Sequence, residues 1–87
     1  MPTILRVDLR VDGYEFVIYL RDHLPPHVHV FARGCEAIVN LGCPGGDITV
    51  RQRFRFTLRE MKLMLRIVEK NRVLLCEAWE EIHDAIG

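Results

Sequence analysis

The chain has little of what most function classes require. Its 87 residues hold three cysteines, Cys35, Cys43 and Cys76. An odd number without Cys-x-x-Cys spacing argues against a disulfide-built scaffold or a zinc ribbon, so free thiols in a reducing compartment are expected. Cys76 lies in a helical apolar run and is expected in the core. There is no excess of either charge, since 12 Lys and Arg balance 12 Asp and Glu. A wholesale polyanion binder is usually basic, so any nucleic-acid contact must rest on a local patch. No apolar run approaches the ~20 residues of a membrane-spanning helix. The opening Met1-Pro2-Thr3-Ile4-Leu5-Arg6 lacks the basic stretch and apolar core of a secretory leader, so a cytoplasmic protein without membrane contact is expected. Internal repeats and low-complexity segments are absent. The Gly-rich Gly42–Gly46 segment lacks the Lys-Ser/Thr pair and helix start of a phosphate loop. Neither a Ser/His/Asp order nor a Gly-x-Ser-x-Gly elbow occurs.

What is present is ordinary for a globular fold: 49% of residues are apolar and 28% charged. Residues 1–87 are read as a single domain. So short a chain buries about 60–65% of its unfolded surface, which leaves stability marginal and invites a partner or homodimer contact.

The first half alternates with a period of two. Ile4 to Val11 reads as a strand, Asp12-Gly13 as a hairpin turn, and Tyr14 to Leu20 as a second strand. Two prolines make Asp22 to Pro26 a loop. His27 to Ala32 returns to strand, Arg33-Gly34 turns, and Glu36 to Leu41 places Ala37, Val39 and Leu41 on one face. After a loop over 42–47, Ile48-Thr49-Val50 forms a short strand that can run on to Arg51. From Thr57 the period becomes helical. Leu58, Met61, Leu65, Val68, Leu75, Trp79, Ile82 and Ile86 form one apolar stripe, broken only at Arg72. Thr57 with Glu60 is a capping box. One long helix or two fit this stripe. Two are favoured, with a break near Lys70-Asn71 and Asn71 capping the second, because a helix of ~45 Å would overhang so small a sheet. The expectation is an α+β fold: a short antiparallel meander of about four to five strands, followed by a C-terminal helical region packed on it.

Three segments carry a resemblance. Met1-Pro2-Thr3-Ile4, Asp22-His23-x-Pro25-Pro26-His27-Val28-His29-Val30 and Val68-x-x-Asn71-x-x-x-Leu75-x-x-x-Trp79 together resemble the bacterial domain of unknown function family 4160. The resemblance covers nearly the whole chain, and the central segment is its specific part. The longer first hairpin and the Gly-rich 42–46 loop depart from the pattern. The family has no established activity. The resemblance implies a small bacterial protein often encoded beside another small protein, some members being described as toxin–antitoxin components.

The densest chemistry lies in that central segment. His27 and His29 are two apart on a strand, so their rings share a side. His23 precedes the stiff Pro25-Pro26 turn, which can fold it back onto them. Asp22 can orient an imidazole from behind. Three imidazoles suit a divalent transition metal such as Zn²⁺, Ni²⁺ or Fe²⁺, with His23, His27 and His29 as ligands. Without metal, His27 and His29 can share acid and base duties. The bland alternative is a turn and a solvated strand face. Cys35 near His29 is a nucleophile only if the fold joins them, and a hairpin position is equally natural.

The second feature is Arg51-Gln52-Arg53-Phe54-Arg55-Phe56. In an extended segment the three Arg share one face. From Arg51 to Arg72 eight Lys and Arg face two Glu, a local +6, while Val73 to Gly87 carries a local −4. Arg51, Arg53, Arg55 and Arg59 are therefore candidate contacts for RNA phosphates or for an acidic protein partner, with Phe available to stack on bases. The bland alternative is a solvated edge with Phe54 and Phe56 in the core. Trp79 and Ile82 belong either to the core or to a dimer seam.

Overall fold

A computed structural model describes residues 9–19, 23–43 and 45–86. The Ile4 to Asp8 part of the expected first strand, and Asp22, lie outside these residues. The described chain runs β1 (Leu9–Val11), β2 (Tyr14–Val17), β3 (His27–Ala32), β4 (Cys35–Asn40), β5 (Thr49–Phe54), α1 (Leu58–Lys70) and α2 (Arg72–Ile86). The strands form one antiparallel sheet in sequence order, β1-β2-β3-β4-β5. The expected meander and the two-helix C-terminal region are both present.

Two tight hairpins set the register. Asp12 and Gly13 have φ of 51° and 85°, and Arg33 and Gly34 have φ of 46° and 78°. Positive φ at both central residues matches the twist of the flanking strands. The pairings Val11↔Tyr14 and Ala32↔Cys35 close these turns. Alternation then sorts the side chains. Tyr14, Phe16, Ile18, Val28, Val30, Ala32, Ala37, Val39 and Leu41 gather in one core with Met61, Met64, Ile67, Val68, Leu75 and Trp79 of the helices. Glu15, Val17, His27, His29, Phe31, Glu36 and Ile38 take the other face of the sheet.

The capping box forms as expected. The Glu60 amide donates to Thr57 Oγ1 at 3.1 Å, and the Thr57 amide donates to Glu60 Oε1 at 2.9 Å. The break also falls at Asn71, but its side chain works backwards: Nδ2 donates to the Ile67 carbonyl at 2.9 Å, closing α1. Only its backbone carbonyl serves α2, accepting from the Leu75 amide at 2.9 Å.

Other expectations are corrected. Leu58, read as part of the buried stripe, is 69% exposed. Met64 and Ile67, outside the stripe, are buried, because the helix presents the arc centred on Met61, Met64 and Val68 to the sheet. β5 runs on to Phe54 instead of ending near Arg51. Phe56 is buried, but Phe54 is 53% exposed. The cysteines differ most. Cys43 and Cys76 are joined in a disulfide, 33 residues apart, and only Cys35 is a free thiol. Sequence spacing could not show this pairing, because the Gly-rich loop and α2 meet only in the folded chain. Arg72, the residue that interrupts the apolar stripe, secures the same junction by donating to the carbonyls of Gly42 (2.6 Å) and Gly46 (2.5 Å). A side chain at Gly42 is not possible without a shift, since a Cβ there would lie 2.4 Å from the Asp47 carbonyl oxygen.

Candidate functional site

The two segments singled out by their chemistry occupy different places. His27 and His29 lie side by side on β3, with ring centroids 5.2 Å apart. They belong to a longer row of rings. Tyr19 meets His29 edge-on at 4.8 Å, and Phe31 stacks with it at 6.4 Å. Trp79 of α2 lies 5.2 Å from His27, and His83 stacks on Trp79 at 3.9 Å. His27 is only 3% exposed, and its Nδ1–H donates to the Pro25 carbonyl at 2.9 Å. That carbonyl, one residue inside the Pro25-Pro26 turn, therefore orients the His27 imidazole. His29 Nδ1 lies 4.0 Å from Glu36 Oε2, too far for a hydrogen bond. His23 is exposed. Among the described residues no group of three or more His, Cys, Asp or Glu side chains gathers as a metal-holding set. The pair His27 and His29 is brought together; His23 is not drawn into it. Cys35 does not meet His29 either. It packs toward the helix side of the sheet, whereas His29 faces the opposite way.

β5 is the reverse case. All six of its residues are exposed. It ends the sheet, paired only with β4 among the described residues. The expected single row of arginines is broken by a bulge. Val50 pairs with Val39 and Gln52 with Ile38, which leaves Arg51 as the extra residue. Arg51 turns to Asn40, its Nε donating to Oδ1 at 3.1 Å, and Nη2 reaches the Pro25 carbonyl at 3.4 Å. Arg53 sits opposite Ala37, on the helix side of the sheet. Arg55 adopts φ 70° just past the strand and lays its guanidinium over the Phe54 ring, 5.3 Å from the centroid.

A groove of about 300 Å³ runs between β5 and α1, lined by Val50, Arg53, Leu58, Met61, Lys62 and Leu65. Its helical apolar members, Leu58, Met61 and Leu65, were read from the sequence as one buried stripe. The signal that separates them is angular: at ~100° per residue, Leu58 and Leu65 fall to one side of the arc through Met61, Met64 and Val68. Arg59, on the first turn of α1, lines a different cleft of about 480 Å³ with Tyr14, Arg33, Glu60 and Arg66.

A polar clasp beneath that cleft holds α1 to the sheet. Arg33 binds the Glu60 carboxylate, and the Tyr14 hydroxyl donates to the Glu60 carbonyl at 3.1 Å. The Thr57 backbone N–H, then the Arg33 guanidinium, hold the Glu60 carboxyl below its usual range. Burial first, and the Glu60 charge second, push the Tyr14 phenol up. Neither Arg33 nor Tyr14 stood out in the sequence, because their partner lies beyond any local spacing.

The family model for the domain of unknown function DUF4160 matches residues 13–80, and the chain belongs to that family. Comparison with curated proteins and with solved structures finds no match. No described helix is long and apolar enough to cross a membrane.

Proposed function

We propose that this member of the DUF4160 family is a protein-binding, regulatory component of a two-gene module, acting on a small partner encoded beside it. The observation that carries the reading is β5: six exposed residues on the edge of the sheet, next to an apolar groove. Soluble monomers usually shield such an edge, and exposed Val50, Phe54 and Leu58 on or beside it add apolar surface. By contrast, the histidine end is packed and already bonded. Sedimentation of the pure protein, alone and with the product of the neighbouring gene, tests the reading. A stable mixed complex is expected. A protein that stays strictly monomeric and ignores its neighbour would overturn it.

A second reading, an RNA-binding or RNA-cleaving toxin, is favoured by the exposed Phe54 ring with Arg55 laid over it, an arrangement suited to stacking a base. On this reading Arg51, Arg53, Arg55 and Arg59 contact phosphates. His27 and His29 supply acid and base, with a divalent metal if His23 turns inward, oriented by Asp22. Phosphate contacts weaken as counterions are released, so binding to total RNA would fall steeply from low to physiological salt. Salt-independent binding, or none, removes this reading. Stoichiometric metal in untagged protein, lost in a His27→Ala/His29→Ala variant that keeps its fold, would establish the metal version.

A further inference from the structure

We infer that the occupant of the β5 edge is an extended segment of a partner protein, alternating apolar with acidic side chains, which adds to the sheet beyond β5. The inference rests on the protein-binding reading above and specifies its chemistry. An edge strand presents alternating N–H and C=O groups along its outer side, and another peptide main chain satisfies both kinds at once. A phosphate backbone carries acceptors and would meet the carbonyls of β5 with like polarity.

Side chains then select the strand. Successive residues of an added strand point to opposite faces of the sheet. Those on the helix side enter the groove of Val50, Leu58, Met61 and Leu65, where an apolar side chain is matched. The groove is flanked by Arg53 and Lys62, and no carboxylate lines it. Arg51, bonded to Asn40, and Arg55, laid over Phe54, place exposed positive charge on the opposite face of the sheet. The alternate residues of the added strand lie on that face, where an Asp or Glu pairs with Arg51 and Arg55 and a Lys or Arg is repelled.

The same charges argue against a second copy. Pairing β5 with its own equivalent brings Arg51 and Arg53 of both strands together, and like charges opposed across a strand pair destabilise it. Among the described residues no exposed carboxylate lies on β5 itself: Asp47 precedes the strand, Asp12 is in the first hairpin, Glu69 is on α1, and Glu77, Glu80 and Glu81 are on α2. Arginines on the edge thus block self-pairing and favour a partner of opposite charge.

Selection of short randomised peptides displayed against the full chain tests the inference. Alternating apolar and acidic sequences should be enriched. Arg51→Glu or Leu58→Asp should each weaken a selected peptide at least ~tenfold, as loss of a central contact does. Both positions are exposed, and retained circular dichroism confirms the fold. N-methylation of alternate amides on one edge of the peptide should abolish binding, and on the other edge should leave it unchanged. Enrichment of basic sequences, or of apolar residues at helical spacing, overturns the inference. So does equal binding of both N-methylated forms. If no peptide is enriched and a single-stranded oligonucleotide binds in an Arg53-dependent way, the RNA reading replaces it. A complex with the neighbouring gene product that survives Arg51→Glu and Leu58→Asp sinks this inference alone. Peptide binding without any such complex sinks the two-gene reading alone.

Discussion

β3 and β5 carry the same two-residue alternation and comparable chemical interest, yet they end in opposite environments. In β3, His27, Val28, Val30 and Ala32 are buried, whereas all six residues of β5 are exposed. β3 has a strand on each side and α2 reaching its first residue through Trp79. Among the described residues β5 has one strand neighbour, with a groove beside it. Position in the sheet, not composition, converts the histidines into packed rings and the arginines into surface. A cluster of reactive residue types is therefore weaker grounds for a site than a row of ordinary ones left uncovered.

The largest test of this contrast exchanges equivalent valines. Val30→Asp places a charge at a fully buried position and is expected to cost on the order of 4 kcal/mol or more, enough to unfold so small a chain. Val50→Asp, at a site 41% exposed, is expected to change stability by less than about 1 kcal/mol. Urea midpoints measure both. Similar losses at the two positions would show that β5 is covered in solution and break the comparison.

Next comes the tether between the two regions. The loop from β4 into β5 is joined to α2 by Cys43–Cys76 across 33 residues. Closing a loop of that length constrains the unfolded chain by about 4 kcal/mol on the chain-entropy model. Cys43→Ser/Cys76→Ser is expected to lower stability by about 2–4 kcal/mol, and dithiothreitol should have the same effect on the parent chain and none on the variant. Hydrogen exchange should show β5 amides released ahead of those in β3.

A smaller effect lies at the start of α1, which forms one wall of the groove. Thr57→Ala removes the cap and is expected to cost about 1 kcal/mol. The Glu60 carboxyl titrates below its usual range, so its contribution is present above the ordinary carboxylate pKa of ~4.3. That contribution is lost as pH falls through the depressed folded value. Urea midpoints taken across acidic pH should fall in the parent chain and fall less in Glu60→Gln.

The smallest concerns Arg55, whose φ of 70° disfavours a side chain while its guanidinium gains from Phe54. The backbone penalty of about 1–2 kcal/mol and the cation–π gain of about 0.5–1 kcal/mol oppose each other. Arg55→Gly is expected to shift the thermal midpoint by only a few degrees, upward if at all. A large loss would show the Phe54–Arg55 platform to be part of the fold.

Local patterns made much of the architecture legible. The two hairpins followed from Asp12-Gly13 and Arg33-Gly34, the helix start from Thr57 with Glu60, and the break from Asn71. Each of these depends on backbone geometry within a few residues, where sequence and structure are tightly coupled. The alternation of Ala37, Val39 and Leu41 likewise identified a core face, because the strand period leaves only two sides. The side of β3 shared by His27 and His29 was legible for the same reason.

What the chain could not show locally was who meets whom across it. The Cys43–Cys76 bond, the clasp of Arg33, Tyr14 and Glu60, and the Trp79 contact with His27 all join residues more than twenty positions apart. Leu58 lies at the margin of the apolar arc on a helical wheel, and periodicity gives its angle but not the width of the surface the helix faces. The bulge at Arg51 depends on a mismatch with β4 and splits arginines that alternation would have aligned. The sequence by itself determined the elements, their order and the faces of the strands, because hydrogen bonding and the helix and strand periods act over a few residues. Tertiary structure alone decided that β5 became an edge with every residue exposed, because exposure depends on what long-range packing leaves uncovered.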